Sequence, residues 1–341
     1  MGIRYLNNYL RDNCSKSIRI MNMSEIKGKK IAVDISIYLY KYEADNVLLE
    51  NMYLMLAIFR HYNVIPIFIF DGKPPPEKKE LLLKRKTDKK EAQQEYNGLK
   101  KCLENNTDYD DAEKQDIVNA MDQLKKQFVY INREKIELVK SLIRAYGATY
   151  YDAPGEADEL CALLVLKKIV WACLSEDMDL FVYGCTRVLR YFSLINHNVV
   201  LYYMTGILDE LDMTQSNFKD ICILSGTDYN IHANTQILRA KNKNHDINLY
   251  ETLKLFRKYK DDKGTNKGIN KEKDNTFYAW LQTNTDYITD LELLEHIKQM
   301  FDLSVDNCNL DNFKHIKIAN GPIIHDCVQE IMREEGFIFV S

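Results

Sequence analysis

Glu156, Asp158, Asp177 and Asp179 bracket an apolar helix and an apolar strand within YYDAPGEADELCALLVLKKIVWACLSEDMDL, residues 150 to 180. The pattern recurs. Asp34 closes the run KKIAVD, Asp71 follows VIPIFIF, and Asp228 stands just past a helix that breaks at Gly226. One such acid is unremarkable, because strand-end Asp and helix-start Glu are common caps and turn residues. Seven converging on one crevice would repel each other and hold raised pKa values unless divalent cations were bound. All-oxygen ligation suits Mg²⁺, with Mn²⁺ able to substitute, and a cluster of this size suits two ions. The chemistry that follows is metal-assisted attack on a phosphodiester, steered by nearby lysines and arginines.

The elements that must position these acids can be read from periodicity. Lys29–Asp34 and Val64–Phe70 have the continuous apolar, β-branched look of strands buried on both faces, as has IVWACLS at 169–175. Pro154 with Glu156, Asp158 and Glu159 predicts a helix start, and helices are also predicted after Asp34, at 133–147 ending on Gly147, and at 216–229. In an open α/β sheet the carboxyl ends of such strands form the ligand crevice. The expected fold class is therefore α/β, a central twisted, mostly parallel sheet flanked by helices. Residues 3–20 read as one short helix, and short strands are expected around VLRYFS and NVVLYYM. From Glu77 to about Lys101 the chain is too polar to pack a core and should stand off the body as a mobile helix or loop, continuing into a second helix around 112–127. A smaller helical C-terminal region, 231–341, follows the domain at 1–230.

Composition narrows the class. At 341 residues the chain can bury a sizeable core. Its eight cysteines, at 14, 102, 161, 173, 185, 222, 308 and 327, show no C-x-x-C pair, so reduced thiols in a nuclear or cytoplasmic setting are expected and a zinc site is not. There is no apolar run of membrane-spanning length and no signal pattern, so a soluble, intracellular protein without a membrane partner is expected. Net charge is −4, yet residues 73–101 carry ten Lys or Arg against five Asp or Glu, and residues 239–273 carry eleven against five. Two local basic surfaces thus accompany the acids, as a nucleic-acid substrate would require, although charge runs of this kind are also ordinary solvated helix faces.

The MGI start, KIAVDIS, FDGKPP, DAPGEADE, SEDMDLFVYG and ICILSGTDY, in this order and spacing, resemble the flap endonucleases of the XPG-like, structure-specific 5′ nuclease superfamily. The likeness covers about residues 1–260. It implies the PIN-like 5′ nuclease fold, with residues 77–127 as a mobile helical arch, and metal-binding carboxylates at Asp34, Asp71, Glu156, Asp158, Asp177, Asp179 and Asp228. It further implies Lys78 and Arg85 on the scissile phosphate, Tyr40 as a base-stacking aromatic, and Gly2 as an amino terminus near the site. The implied activity is two-metal-ion hydrolysis of DNA near single-strand/duplex junctions, as 5′-flap endonuclease or 5′ exonuclease, in replication, repair or recombination. Two departures stand out. Asp158 replaces the family's usual Glu, and YNIHANTQILRAKNKN replaces its glycine-rich duplex-binding turn, leaving Arg239, Lys241 and Lys243 as DNA-binding candidates. No sliding-clamp peptide is recognisable at the C-terminal end. An RNA-directed nuclease and a catalytically inactive nucleic-acid scaffold are the alternatives to be tested against this reading.

Overall fold

The computed structural model describes residues 3–105, 111–229, 249–265, 276–285, 287–288, 290–303 and 310–339. The strands are β1 (Ile18–Asn22), β2 (Lys30–Asp34), β3 (Ile65–Phe70), β4 (Thr149–Asp152), β5 (Ala172–Leu174), β6 (Arg187–Ser193) and β7 (Asn198–Tyr203). They form one sheet in the order β1-β7-β6-β5-β2-β3-β4. Pairings from β6 through β5, β2 and β3 to β4 are parallel, and β7 and β1 add an antiparallel edge. In this register Val33 lies beside both Phe68 and Leu174, so the carboxyl ends of β2, β3 and β5 come out together.

The central strands are apolar throughout because helices cover both faces. Alternation along β2 and β3 divides their side chains between two cores. Ile31, Val33 and Phe68 pack with Met52, Met55 and Phe59 of helix α3 (Leu48–His61) and with Val139 and Leu142. Ala32, Ile67 and Ile69 face the other way, toward Leu160, Leu163 and Leu164. In chain order the remaining helices of the first 229 residues are α1 (Leu6–Asn13), α2 (Ile35–Ala44), α4 (Lys79–Asn105), α5 (Asp111–Lys125), α6 (Arg133–Ala145), α7 (Ala157–Leu166), α8 (Asp179–Val182), α9 (Met204–Leu211) and α10 (Gln215–Leu224).

The segment at 3–20 departs from the single helix predicted for it. Helix α1 stops at Asn13, and β1 begins at Ile18. Long-range bonds decide this: the Ser17 hydroxyl donates to Glu210 at 2.5 Å, the Tyr203 amide donates to the Ser17 carbonyl at 3.0 Å, and the following residues pair with β7. The polar run at 79–105 is a continuous helix that buries only occasional side chains such as Leu81 and Ala92. Helix α5 packs along it.

Residues beyond 249 enter both cores. Leu253, Phe256, Phe277, Leu281, Leu294, Ile297 and Phe301 join the α7 side of the sheet, and Val328 and Met332 join the α3 side. Gly147 ends α6 with φ of +70° and accepts a 2.7 Å hydrogen bond from the Gly321 amide. A Cβ on Gly147 would lie 2.6 Å from Gly321, so both the backbone conformation and the approach require glycine there. Among the described residues no helix is long and apolar enough to cross a membrane.

Candidate active site

The turn after β3 sets the site. Gly72 packs so closely on the loop before α7 that a Cβ would fall 1.9 Å from the Ala153 carbonyl oxygen, and its amide donates to the Gly155 carbonyl at 2.7 Å. This docking of two turns carries Asp71 to the amino end of α7, where its carboxylate accepts from the Ala157 amide at 2.9 Å and from the Ser36 hydroxyl of α2. The α7 terminus is thus capped by an acid from another strand. Glu156 stands at the N-cap position yet makes no capping hydrogen bond. The ordinary explanation of a helix-start Glu does not apply to it, and its carboxylate is free to face the crevice.

Glu156 instead accepts from the Lys78 ammonium at 2.7 Å and from the Tyr229 hydroxyl at 2.7 Å. The Lys78 Nζ also lies 3.9 Å from Asp228 and 4.8 Å above the Tyr229 ring. Arg85, two turns into the basic region of α4, donates to the same Asp228 oxygen at 2.9 Å. On the other side of the crevice Ser175 bridges two acids, donating to Asp34 at 2.8 Å and accepting from the Asp177 amide at 3.0 Å. Asp177 in turn accepts from the Asp179 amide at 3.0 Å, and Asp158 from the Glu159 amide at 2.7 Å. Asp179 is 1% exposed, and neither of its carboxylate oxygens has a hydrogen-bond partner.

Charge in this crevice is heavily one-sided. Burial, the charges of Asp71 and Asp177, and partial relief from Ser175 leave the Asp34 carboxyl raised to about 7. Burial likewise raises Asp158, where Lys78 offsets part of the effect while Asp177, Glu156 and Asp34 add to it. Asp179 is raised by burial and by the charges of Asp177, Asp228 and Asp158. Burial works against the Lys78 charge, but Asp158 and Glu156 outweigh it, and its pKa is raised. These mutual effects tie all seven predicted acids into one electrostatic cluster. Among the described residues no three potential ligands stand together as a ready coordination shell. Lys78 and Arg85 supply the counter-charge in the present arrangement.

The donor set fits hard divalent ions on two counts: every candidate ligand is oxygen, and Asp179 offers two buried acceptor atoms that no protein donor meets. Asp34, Asp71, Glu156, Asp158, Asp177, Asp179 and Asp228 would hold such ions. Of the other predicted residues, Lys78 and Arg85 join the cluster, and Tyr40 stands 47% exposed on α2. Gly2, Arg239, Lys241 and Lys243 lie outside the described residues. Ser36, Ser175 and Tyr229 were not anticipated. Nothing in the spacing of Glu156 and Tyr229 signals their bond, since only the fold brings them together.

Behind the Asp177 turn, buried Arg190 donates to the Glu176 carbonyl at 2.8 Å and to the Asn7 side chain at 2.6 Å. It also lies 3.5 Å from the Glu176 carboxylate. The turn carrying Asp177 and Asp179 is therefore pinned to β6 and α1.

Two family models match the chain. The XPG N-terminal domain matches residues 1–92 and the XPG I-region matches residues 147–228. The chain belongs to the XPG family. The two matched regions of this family member contain Asp34, Asp71, Lys78, Arg85 and the whole set from Glu156 to Asp228. Flap endonuclease 1-A of Oryza sativa subsp. japonica is 30% identical over 248 residues, covering 67% of this chain and 62% of its own length. Flap endonuclease 1 of Glycine max is 32% identical with the same coverage. The chain thus spans about 62% of the length of these curated relatives. Its fold is that of the catalytic core of Rad2 solved in complex with a DNA substrate, with a TM-score of 0.62, 17% identity, and coverage of 98% of this chain and 96% of that one. Flap endonuclease-1 from Methanococcus jannaschii superposes with a TM-score of 0.58 at 20% identity, covering 93% and 90%.

Proposed function

We propose that this chain is a divalent-metal-dependent nuclease that hydrolyses DNA phosphodiesters near single-strand/duplex junctions on substrates with a free 5′ end. Membership of the XPG-like family supports the class. The observation that carries the reading is the electrostatic one: a seven-acid edge, with both oxygens of buried Asp179 unpartnered, placed directly against Lys78 and Arg85.

Bound divalent ions, which we take to be two Mg²⁺, would neutralise the carboxylates and stabilise the charge that develops on the phosphoryl oxygens. The chain's own residues do the rest. Lys78 is buried and keeps its proton, so it presents a fixed positive charge. Arg85, on the more exposed turn of α4, offers a guanidinium fork suited to phosphate. Their present partners, Glu156 and Asp228, are the acids that the ions would neutralise, so both cations become available to a phosphate as the ions load. Ser175 fixes Asp34 and Asp177 relative to each other, and Tyr229 orients Glu156.

The test is cleavage of end-labelled 5′-flap, nicked, single-stranded and RNA substrates in Mg²⁺ and in EDTA, with Asp177→Asn as control. Metal-dependent incision near the flap junction that disappears in the variant is the expected result. Cleavage of RNA alone would redirect the reading to an RNA nuclease, and binding without turnover in either Mg²⁺ or Mn²⁺ would leave a scaffold.

A further inference from the structure

Lys89 lies against two tyrosine rings contributed by different parts of the chain. Its ammonium lies 4.8 Å from the centroid of Tyr40, on α2, and 5.2 Å from that of Tyr130, in the segment joining α5 to α6. It also donates to the Val129 carbonyl at 2.9 Å. A pin that merely fastened α4 to the body would bury its aromatic partners, yet Tyr40 is 47% exposed and Tyr130 57%. Partial burial and the nearby Arg85 both push the pKa of Lys89 down. It stands one helical turn beyond Arg85, about 6 Å along α4, and Arg85 is already bonded to Asp228 of the acidic cluster.

Two exposed tyrosines that share one small cation are suited to receive a flat π-system. A ligand that is flat and negatively charged alongside would suit both the rings and the lysine. We propose that Tyr40 and Tyr130 are the two walls of a binding slot for one unpaired base of a single-stranded 5′ segment, with Lys89 as the placeholder that leaves for the neighbouring phosphate. The inference rests on the nuclease reading above. It adds Tyr130 as a second stacking wall and gives Lys89 a role in admitting the base. Base stacking of this kind tolerates any sequence, because every base has a π-face.

The experiment uses 5′-flap oligonucleotides carrying a single abasic site at successive positions of the single strand, titrated in EDTA by fluorescence anisotropy. At one position the wild type should lose roughly 5- to 100-fold in affinity, the range that stacking of one base supports. Tyr130→Phe keeps that penalty. Tyr130→Leu binds the intact flap more weakly and loses most of the penalty at that position. A 2-aminopurine placed there should be quenched by wild type and by Tyr130→Phe and relieved in Tyr130→Leu, at matched saturation and with unchanged circular dichroism. A flat abasic profile in the wild type, or a penalty of unchanged size in Tyr130→Leu, would overturn the slot while leaving flap binding intact. Absence of any binding to flapped DNA or RNA would remove the nuclease reading and the slot with it.

Discussion

Asp34→Asn should stabilise the metal-free protein while destroying its activity. The Asp34 carboxyl is raised from an ordinary value of 3.8 to about 7, chiefly by burial and by the charges of Asp71 and Asp177. A carboxyl that is harder to ionise in the folded state than in the unfolded one costs nothing below pH 4. The cost grows as pH rises and is complete above pH 7. At about 1.4 kcal/mol per pH unit, the displacement corresponds to a penalty of ~4 kcal/mol at pH 8, of which about 3 kcal/mol develops between pH 5 and pH 8. This is an upper limit, because relaxation around the charge and entry of water reduce the penalty of burial. An Asn at this position keeps one acceptor, for the Ser175 hydroxyl or the Ser36 amide, and removes the charge, so less is lost than gained. Urea denaturation in EDTA should show the variant more stable than wild type by about 2–4 kcal/mol at pH 8, with the gap closing toward pH 5. Saturating Mg²⁺ should reverse the order, because only the wild type gains from a bound cation at that position. A variant less stable than wild type in EDTA at pH 8 would refute the account of a crowded, charge-frustrated edge.

Other perturbations address the supports of the site. Tyr229→Phe keeps the ring beneath Lys78 but deletes the 2.7 Å bond to Glu156; a loss of about 1–2 kcal/mol, or roughly tenfold in divalent-ion affinity or turnover, is expected with a native melting curve. Gly72→Ala puts a methyl group where the Ala153 carbonyl already lies, and we expect destabilisation of about 3 kcal/mol or more, seen by thermal melting, together with lost cleavage. Arg190→Met strips the half-buried Glu176 turn of its guanidinium and should cost about 1–3 kcal/mol in urea denaturation.

The carboxylates were legible in the sequence because their positions are set locally. Apolar runs such as IAVD and VIPIFIFD announce buried strands, and an Asp at the end of one has few places to go except the sheet's carboxyl edge. Their environment was not legible. The capping of α7 by Asp71, which frees Glu156, depends on a contact between turns more than 80 residues apart, and Ser175 and Tyr229 owe their roles to similar long-range contacts. Strand β1 was missed for a related reason. It lies on the sheet's edge with three of its five residues exposed, so it lacks the alternation that would set it apart from a continuing helix. The helix at 79–105 was read from composition as an element that could not pack a core, and its largely exposed surface agrees, though composition alone gave no sign that Lys89 would meet Tyr40 and Tyr130.

The contact between Gly147 and Gly321, with Phe256, Leu294 and Met332 filling both sides of the sheet, has a consequence for how the chain comes into being. All of the carboxylates have been synthesised once residue 228 is made, but the apolar surface that supports them is still missing its last contributors. During translation the acidic edge therefore exists, if at all, on a partly uncovered sheet, and quality-control proteases would meet exposed leucines and phenylalanines until the residues near 332 emerge. A chain stopped at 228 should be recovered as aggregate or as fragments rather than as a miniature nuclease.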